Sequence, residues 1–126
     1  MALNIKIIKK KDYMYLIELS GSLDTETQQQ FEEEVKEIVD GKTKTVVIDM
    51  GGVHYITSAG IAAIVWAKRE LKNINANLSM VNLQPQIKEV LDVMKILPMI
   101  DIFDDMQEAD KYIDQIIKEE LEKNKA

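Results

Sequence analysis

Residues 45–71 change their hydrophobic period part-way, and that change constrains the fold more than any other feature of the chain. Thr45-Val46-Val47-Ile48-Asp49-Met50 is a short, largely β-branched run, apolar on both parities. A strand with two apolar faces needs cover on both, so this run reads as a central strand of a layered sheet. From Ser58 onward the apolar residues fall at Ile61, Ile64, Val65 and Leu71, which is helical spacing. Ala62, Ala63 and Ala67 keep that helix slim enough to lie close to a sheet.

The flanks repeat the same alternation of periods. Leu3–Ile7 and then Tyr13, Tyr15, Ile17 and Leu19 alternate as half-buried strands, with Lys9-Lys10-Lys11-Asp12 as the turn of a hairpin that Gly21 ends. Thr25-x-x-Gln28 has capping-box spacing ahead of a helix carrying Phe31, Val35, Ile38 and Val39, which Gly41 stops. After the central strand and its helix, Leu78, Met80 and Val81 form a strand ended by Pro85. Ile87, Val90, Leu91 and Met94 make the next helical stripe. Met99–Phe103 reads as a short strand, followed by a helix through Met106, Ala109, Tyr112, Ile113, Ile116, Ile117 and Leu121.

The order β-β-α-β-α-β-α-β-α implies one α/β domain over residues 1–126, with a mixed sheet of about five strands and about four helices. Its core is expected over about 3–113, with 118–126 as a charged helix end and tail that frays. A chain of 126 residues suits a single hydrophobic core.

Composition excludes several functions. The net charge of −6 argues against a nucleic-acid partner, whose affinity depends on neutralising phosphates. An acidic domain suits a protein partner instead. Without cysteine there is no disulfide, thiolate nucleophile or cysteine-bound zinc. The N-terminal stretch runs into the four consecutive charges Lys9-Lys10-Lys11-Asp12 before any signal-like apolar segment, and the longest wholly apolar run is only Ile61–Ala67. A cytoplasmic location and no integral membrane segment are therefore expected.

Catalytic and cofactor chemistry finds little support. His54 is the single histidine, and its place in Val53-His54-Tyr55-Ile56 suits a solvent-facing residue at a strand end. The acidic residues fall mostly on exposed helix faces, with no metal-ligand spacing. Gly51-Gly52 and Gly60 lack the lysine of a phosphate loop, since none follows Gly60 until Lys68. No enzyme, cofactor or metal is expected.

Thr57-Ser58 holds the remaining chemistry. One hydroxyl there caps the following helix. A phosphate at the same place would carry about −1.5 to −2 charges beside helix amides that favour anions. It would change the surface without opposing the fold.

The segment from Thr45 to Ile61, ending Tyr55-Ile56-Thr57-Ser58-Ala59-Gly60-Ile61, resembles the signature of STAS domains, specifically bacterial anti-sigma factor antagonists. Gly21-Ser22-Leu23-Asp24 is similar to the family's Gly-x-(Leu or Ile)-Asp loop, and Leu83–Leu91 to its stretch entering the third helix. The resemblance runs from about Leu3 to about Ile113. It implies a non-catalytic regulator that binds an anti-sigma factor, often a GHKL-type serine kinase, when unphosphorylated. Phosphorylation of Ser58 by that kinase breaks the complex, and a metal-dependent serine phosphatase restores it. The implied partner-binding residues are Asp24, Thr57, Ser58, Ala59, Gly60 and Ile61, with Thr57 the alternative phosphoacceptor.

The sequence departs from the family pattern in three places. Thr57 replaces the aspartate before the serine, Ala59 the following hydroxyl residue, and Ile96-Leu97-Pro98 a Thr-Gly-Leu. Two alternatives stay open: a constitutive interaction or assembly subunit in which Ser58 only caps, and a small-ligand-sensing or transporter-accessory module.

Overall fold

The computed structural model describes residues 2–123, with the side chains of Glu120 and Leu121 excepted. β1 (Leu3–Lys11) and β2 (Met14–Leu23) form an antiparallel hairpin. Then follow α1 (Gln28–Ile38), β3 (Thr45–Ile56), α2 (Ser58–Asn73), β4 (Asn77–Val81) and α3 (Pro85–Val93). A 3₁₀ turn (Leu97–Met99), β5 (Asp101–Phe103) and α4 (Met106–Lys123) complete the order. The strands lie in the order β1-β2-β3-β4-β5, all parallel to their neighbours except β1. The expected single α/β domain with a five-stranded mixed sheet and four helices is what the chain forms.

Parity along β3 explains the two layers. Val46, Ile48 and Met50 face α1, α2 and α3, joining Phe31, Val35, Ile64, Leu71, Ile87 and Leu91 in the larger core. Val47 points the other way, with Met14, Leu16 and Val81, into a smaller core closed by Ala109 and Ile113 of α4. Val47 and Ile48 are both fully buried. β3 is therefore the covered central strand that its composition demands.

Several boundaries differ from the sequence reading. Lys9–Lys11 lie in β1, not in a turn; a register shift between Lys9 and Lys11 bends the edge strand there, and a bulge hides its alternation. Gly21 lies inside β2 at φ +115, a conformation glycine adopts without strain, and the strand continues to Leu23. β3 runs six residues beyond Met50, through Gly51-Gly52, because a second register shift opposite Glu18–Ser20 absorbs the glycines. α1 ends at Ile38, before Gly41, where Asp40 accepts hydrogen bonds from the amides of Lys42 at 2.8 Å and Thr43 at 3.0 Å. β5 starts at Asp101, since Leu97–Met99 are 3₁₀.

In α3, Ile87 and Leu91 are buried, whereas Val90 is exposed and Met94 lies past the helix end in solvent. α4 extends through Lys123. Residues 124–126 and the side chain of Leu121 lie outside the described set.

Candidate functional site

Ser58 sits where β3 hands over to α2, and the local chain explains why. Thr57 is extended (φ −111, ψ 176), and its Oγ1 accepts a hydrogen bond from the amide of Gly60 at 3.4 Å. Thr57 is thus the N-cap of α2, and Ser58 is the first helical residue. The cap falls to the first hydroxyl of the pair, leaving the second on the surface. Ser58 is exposed, Thr57 and Ala59 are half-buried, and Gly60 and Ile61 are buried.

Close packing pins this corner to the end of β2. Leu23 pairs with Ile56 in the sheet, and the Thr57 amide donates to the Leu23 carbonyl at 3.1 Å. A Cβ on Gly60 would stand 2.2 Å from that same carbonyl oxygen and 2.8 Å from its carbon. Only glycine lets α2 start this near the β2 backbone. Ile61, at 6% exposure, anchors the first turn in the larger core.

Asp24 follows Leu23 directly, so the pairing of β2 with β3 brings its loop beside the start of α2. It is 8% exposed. Its Oδ1 accepts from the amides of Glu26 at 3.0 Å and Thr27 at 3.1 Å, while the Thr27 hydroxyl donates to the Ser22 carbonyl at 2.9 Å, with Asp24 Oδ1 next at 3.2 Å. Thr27 Oγ1 in turn accepts from the Asp24 amide at 3.0 Å. This reciprocal pair closes the turn leading into α1, in the manner of a capping box, and the helix itself starts at Gln28 with Thr27, not Thr25, at its N-cap. Asp24 competes better because a carboxylate accepts several amides at once. Thr27, 4% exposed, was the residue the sequence reading passed over; its signal was the Asp-x-x-Thr spacing.

The surface around Ser58 includes exposed His54 and Tyr55 on the last turn of β3, and His54 faces solvent as expected. Tyr55 is 46% exposed, a large apolar ring three residues from Ser58. Across the strand ends, Gln84 Nε2 donates to the Gly51 carbonyl at 2.8 Å, tying the start of α3 to β3. The N-terminus of α2 directs a positive field at Ser58, which favours an anion there.

Residues 5–109 match the STAS domain family. The chain belongs to that family. The Bordetella bronchiseptica protein BtrV, which carries the name of an anti-sigma factor antagonist, is 27% identical over 100 residues, covering 79% of this chain and 86% of BtrV. SpoIIAA, the Bacillus anti-sigma factor antagonist and cell fate determinant, superposes with TM-scores of 0.68 in its unphosphorylated and 0.69 in its phosphorylated form. That likeness is at 18% identity and covers 90% of this chain and 97% and 99% of those chains. The STAS fold also recurs in a murine anion transporter, solute carrier 26 family member A9 (TM-score 0.73, 19% identity), over 82% of this chain and 18% of the transporter. Among the described residues of this STAS domain, no helix is long and apolar enough to cross a membrane.

Proposed function

We propose that this protein is a non-catalytic anti-sigma factor antagonist whose hold on its partner is set by phosphorylation of Ser58. The observation that carries the reading is the division of labour at the start of α2. Thr57 supplies the cap oxygen, and the Ser58 side chain is left exposed at the first helical residue. A kinase can modify Ser58 without removing a hydrogen bond that the fold uses. Thr57, half-buried and engaged with the Gly60 amide, is the poorer acceptor.

The partner is an anti-sigma factor that is itself a GHKL-type serine kinase, and a serine phosphatase reverses the modification. Ser58, Thr57 and Ala59 meet the partner, while Asp24, Gly60 and Ile61 shape that surface from beneath. The phosphate adds about −1.5 to −2 charges to a chain already at −6. Helix amides stabilise the charge within the domain. A partner surface packed against a neutral hydroxyl gains an unpaired dianion, which is strongly unfavourable at an interface. The protein works in the cytoplasm by this reading.

Co-purification from the native cell tests it. Tagged Ser58→Ala is expected to retain a serine kinase partner, and Ser58→Asp to lose it while keeping the wild-type circular dichroism spectrum. Equal retention by both variants overturns the switch and favours a constitutive assembly subunit.

A further inference from the structure

Of the four helices, α2 is the one with more cations than carboxylates. Its later turns hold Lys68, Arg69 and Lys72 against Glu70, whereas neighbouring α1 sets Glu32, Glu33, Glu34 and Glu37 against Lys36. Arg69 and Lys72 are exposed, Lys68 is half-buried, and none of the three forms an ion pair with a described carboxylate. Glu70 points about 100° round the helix from Arg69 and accepts from Asn73 Nδ2 at 3.4 Å. Lys72 lies in the last turn, where a cation offsets the helix dipole; Lys68 and Arg69 lie before it and have no such role.

The three cations wall a groove of about 360 Å³ whose other lining residues are Val65 and Met99. Met99 belongs to the 3₁₀ turn and is 46% exposed, so the groove has an apolar floor open to solvent. No carboxylate lines it. The strip is also narrow. On one flank α1 packs beside α2, with Lys36 over the Trp66 ring and Glu33 and Glu37 exposed. On the far side of the 3₁₀ turn, Leu97 shares a hollow with Lys88, Glu89 and Asp92 of α3. A broad anionic plane laid on α2 would meet those flanking carboxylates, and a flat surface does not enter a groove. A single rod of negative charge, carrying an apolar side chain to set between Val65 and Met99, meets only the cations.

We propose that the groove docks an acidic amphipathic helix of a partner protein, its apolar stripe on Val65 and Met99 and its carboxylates at Lys68, Arg69 and Lys72. Val65 comes seven residues after Ser58, close to two full turns, so the groove opens on the same side of α2 about 10 Å further along its axis. The screening length at physiological salt is about 8 Å. Binding here is therefore separate from the phosphorylation reading.

The probe is a synthetic, acetylated and amidated peptide of about 14 residues built on the repeat Glu-Leu-Ala-Glu-Leu-Leu-Glu, roughly 21 Å long as a helix. It is titrated at physiological salt into the full chain with labelled valine and methionine methyls, followed by NMR. Two control peptides carry lysine for every glutamate or alanine for every leucine. Saturable shifts of the Val65 and Met99 methyls are expected with the acidic peptide and with neither control. The surface variant combining Lys68→Gln, Arg69→Gln and Lys72→Gln is expected to raise Kd roughly tenfold, the scale of three exposed charge contacts. Met99→Asp, on an exposed turn, is expected to abolish the shifts while keeping the wild-type circular dichroism spectrum. Ser58→Asp is expected to bind within about twofold of wild type. Absent shifts, equal binding of either control, an unchanged Kd in the triple variant or loss of binding in Ser58→Asp overturns the proposal. Sedimentation with phosphatidylserine vesicles, or self-association, that the triple variant loses would assign the strip to a lipid surface or a second copy and overturn it as well.

Discussion

Replacing Gly60 by alanine tests the geometry on which the Ser58 corner depends. In an ordinary helix this change stabilises by roughly 0.5–1 kcal/mol, because alanine loses less backbone entropy. Here the new Cβ would lie 2.2 Å from the Leu23 carbonyl oxygen and 3.0 Å from Ile56 Cγ1. Relief to ordinary contact requires the first turn of α2 to withdraw by about 1 Å, and close-packed interiors resist such movement. Overpacking of this kind costs about 1–3 kcal/mol. The same withdrawal stretches the Thr57 amide to Leu23 carbonyl bond of 3.1 Å, a further loss of about 1 kcal/mol. The two costs exceed the propensity gain, leaving a net destabilisation of about 2 kcal/mol.

For a chain of 126 residues that corresponds to a fall in Tm of roughly 5–10 °C. Urea unfolding followed by circular dichroism reads it as a lower midpoint with unchanged slope. Gly41→Ala is the internal control. Nothing lies within 4 Å of its added Cβ, so it is expected to be neutral or stabilising by up to about 1 kcal/mol. A Gly60→Ala protein as stable as wild type would refute the close approach of α2 to β2.

Other changes separate the neighbouring roles. Thr57→Ala is expected to cost about 1 kcal/mol through loss of the cap, and Ser58→Ala less than about 0.5 kcal/mol, both by urea unfolding. Asp24→Ala strips the side-chain acceptor from the Glu26 and Thr27 amides, while the Thr27 hydroxyl keeps the Ser22 carbonyl, and is expected to cost about 1–2 kcal/mol, whereas Asp24→Asn, which retains Oδ1, costs clearly less in the same assay. Asp40 is held below the usual carboxylate range, first by the Lys42 amide and then by the Thr43 amide and hydroxyl. A folded pKa below the unfolded one gives stability that is present above the unfolded value and lost as pH falls through the folded one. Asp40→Asn is therefore expected to lessen the loss of Tm on acidification below about pH 4, checked by thermal melts across that range.

The sequence revealed most where composition had a single structural solution. A run apolar on both faces can only be a covered strand, and β3 is one. It was silent where the backbone departs from ideal repeat. Bulges carried β1 through its lysines and β3 through Gly51-Gly52, because an extra residue resets the alternation that marks a strand. Val90 and Met94 fell on the helical spacing of α3 yet face solvent, since periodicity marks a stripe but not where its cover ends. At the site, the hydroxyl pair and Gly60 were legible as a helix start. Which hydroxyl caps depends on where β3 stops, and the capping role of Asp24 depends on several amides converging after Leu23; neither is written in local spacing.

The central claim is that Ser58 carries a reversible phosphate. Intact mass with site mapping, on protein isolated from its own cells under several growth conditions, addresses it most directly. The account predicts one phosphate on Ser58, with occupancy that changes between conditions. A Ser58 that stays unmodified under every condition, or a phosphate confined to Thr57 or elsewhere, would contradict it.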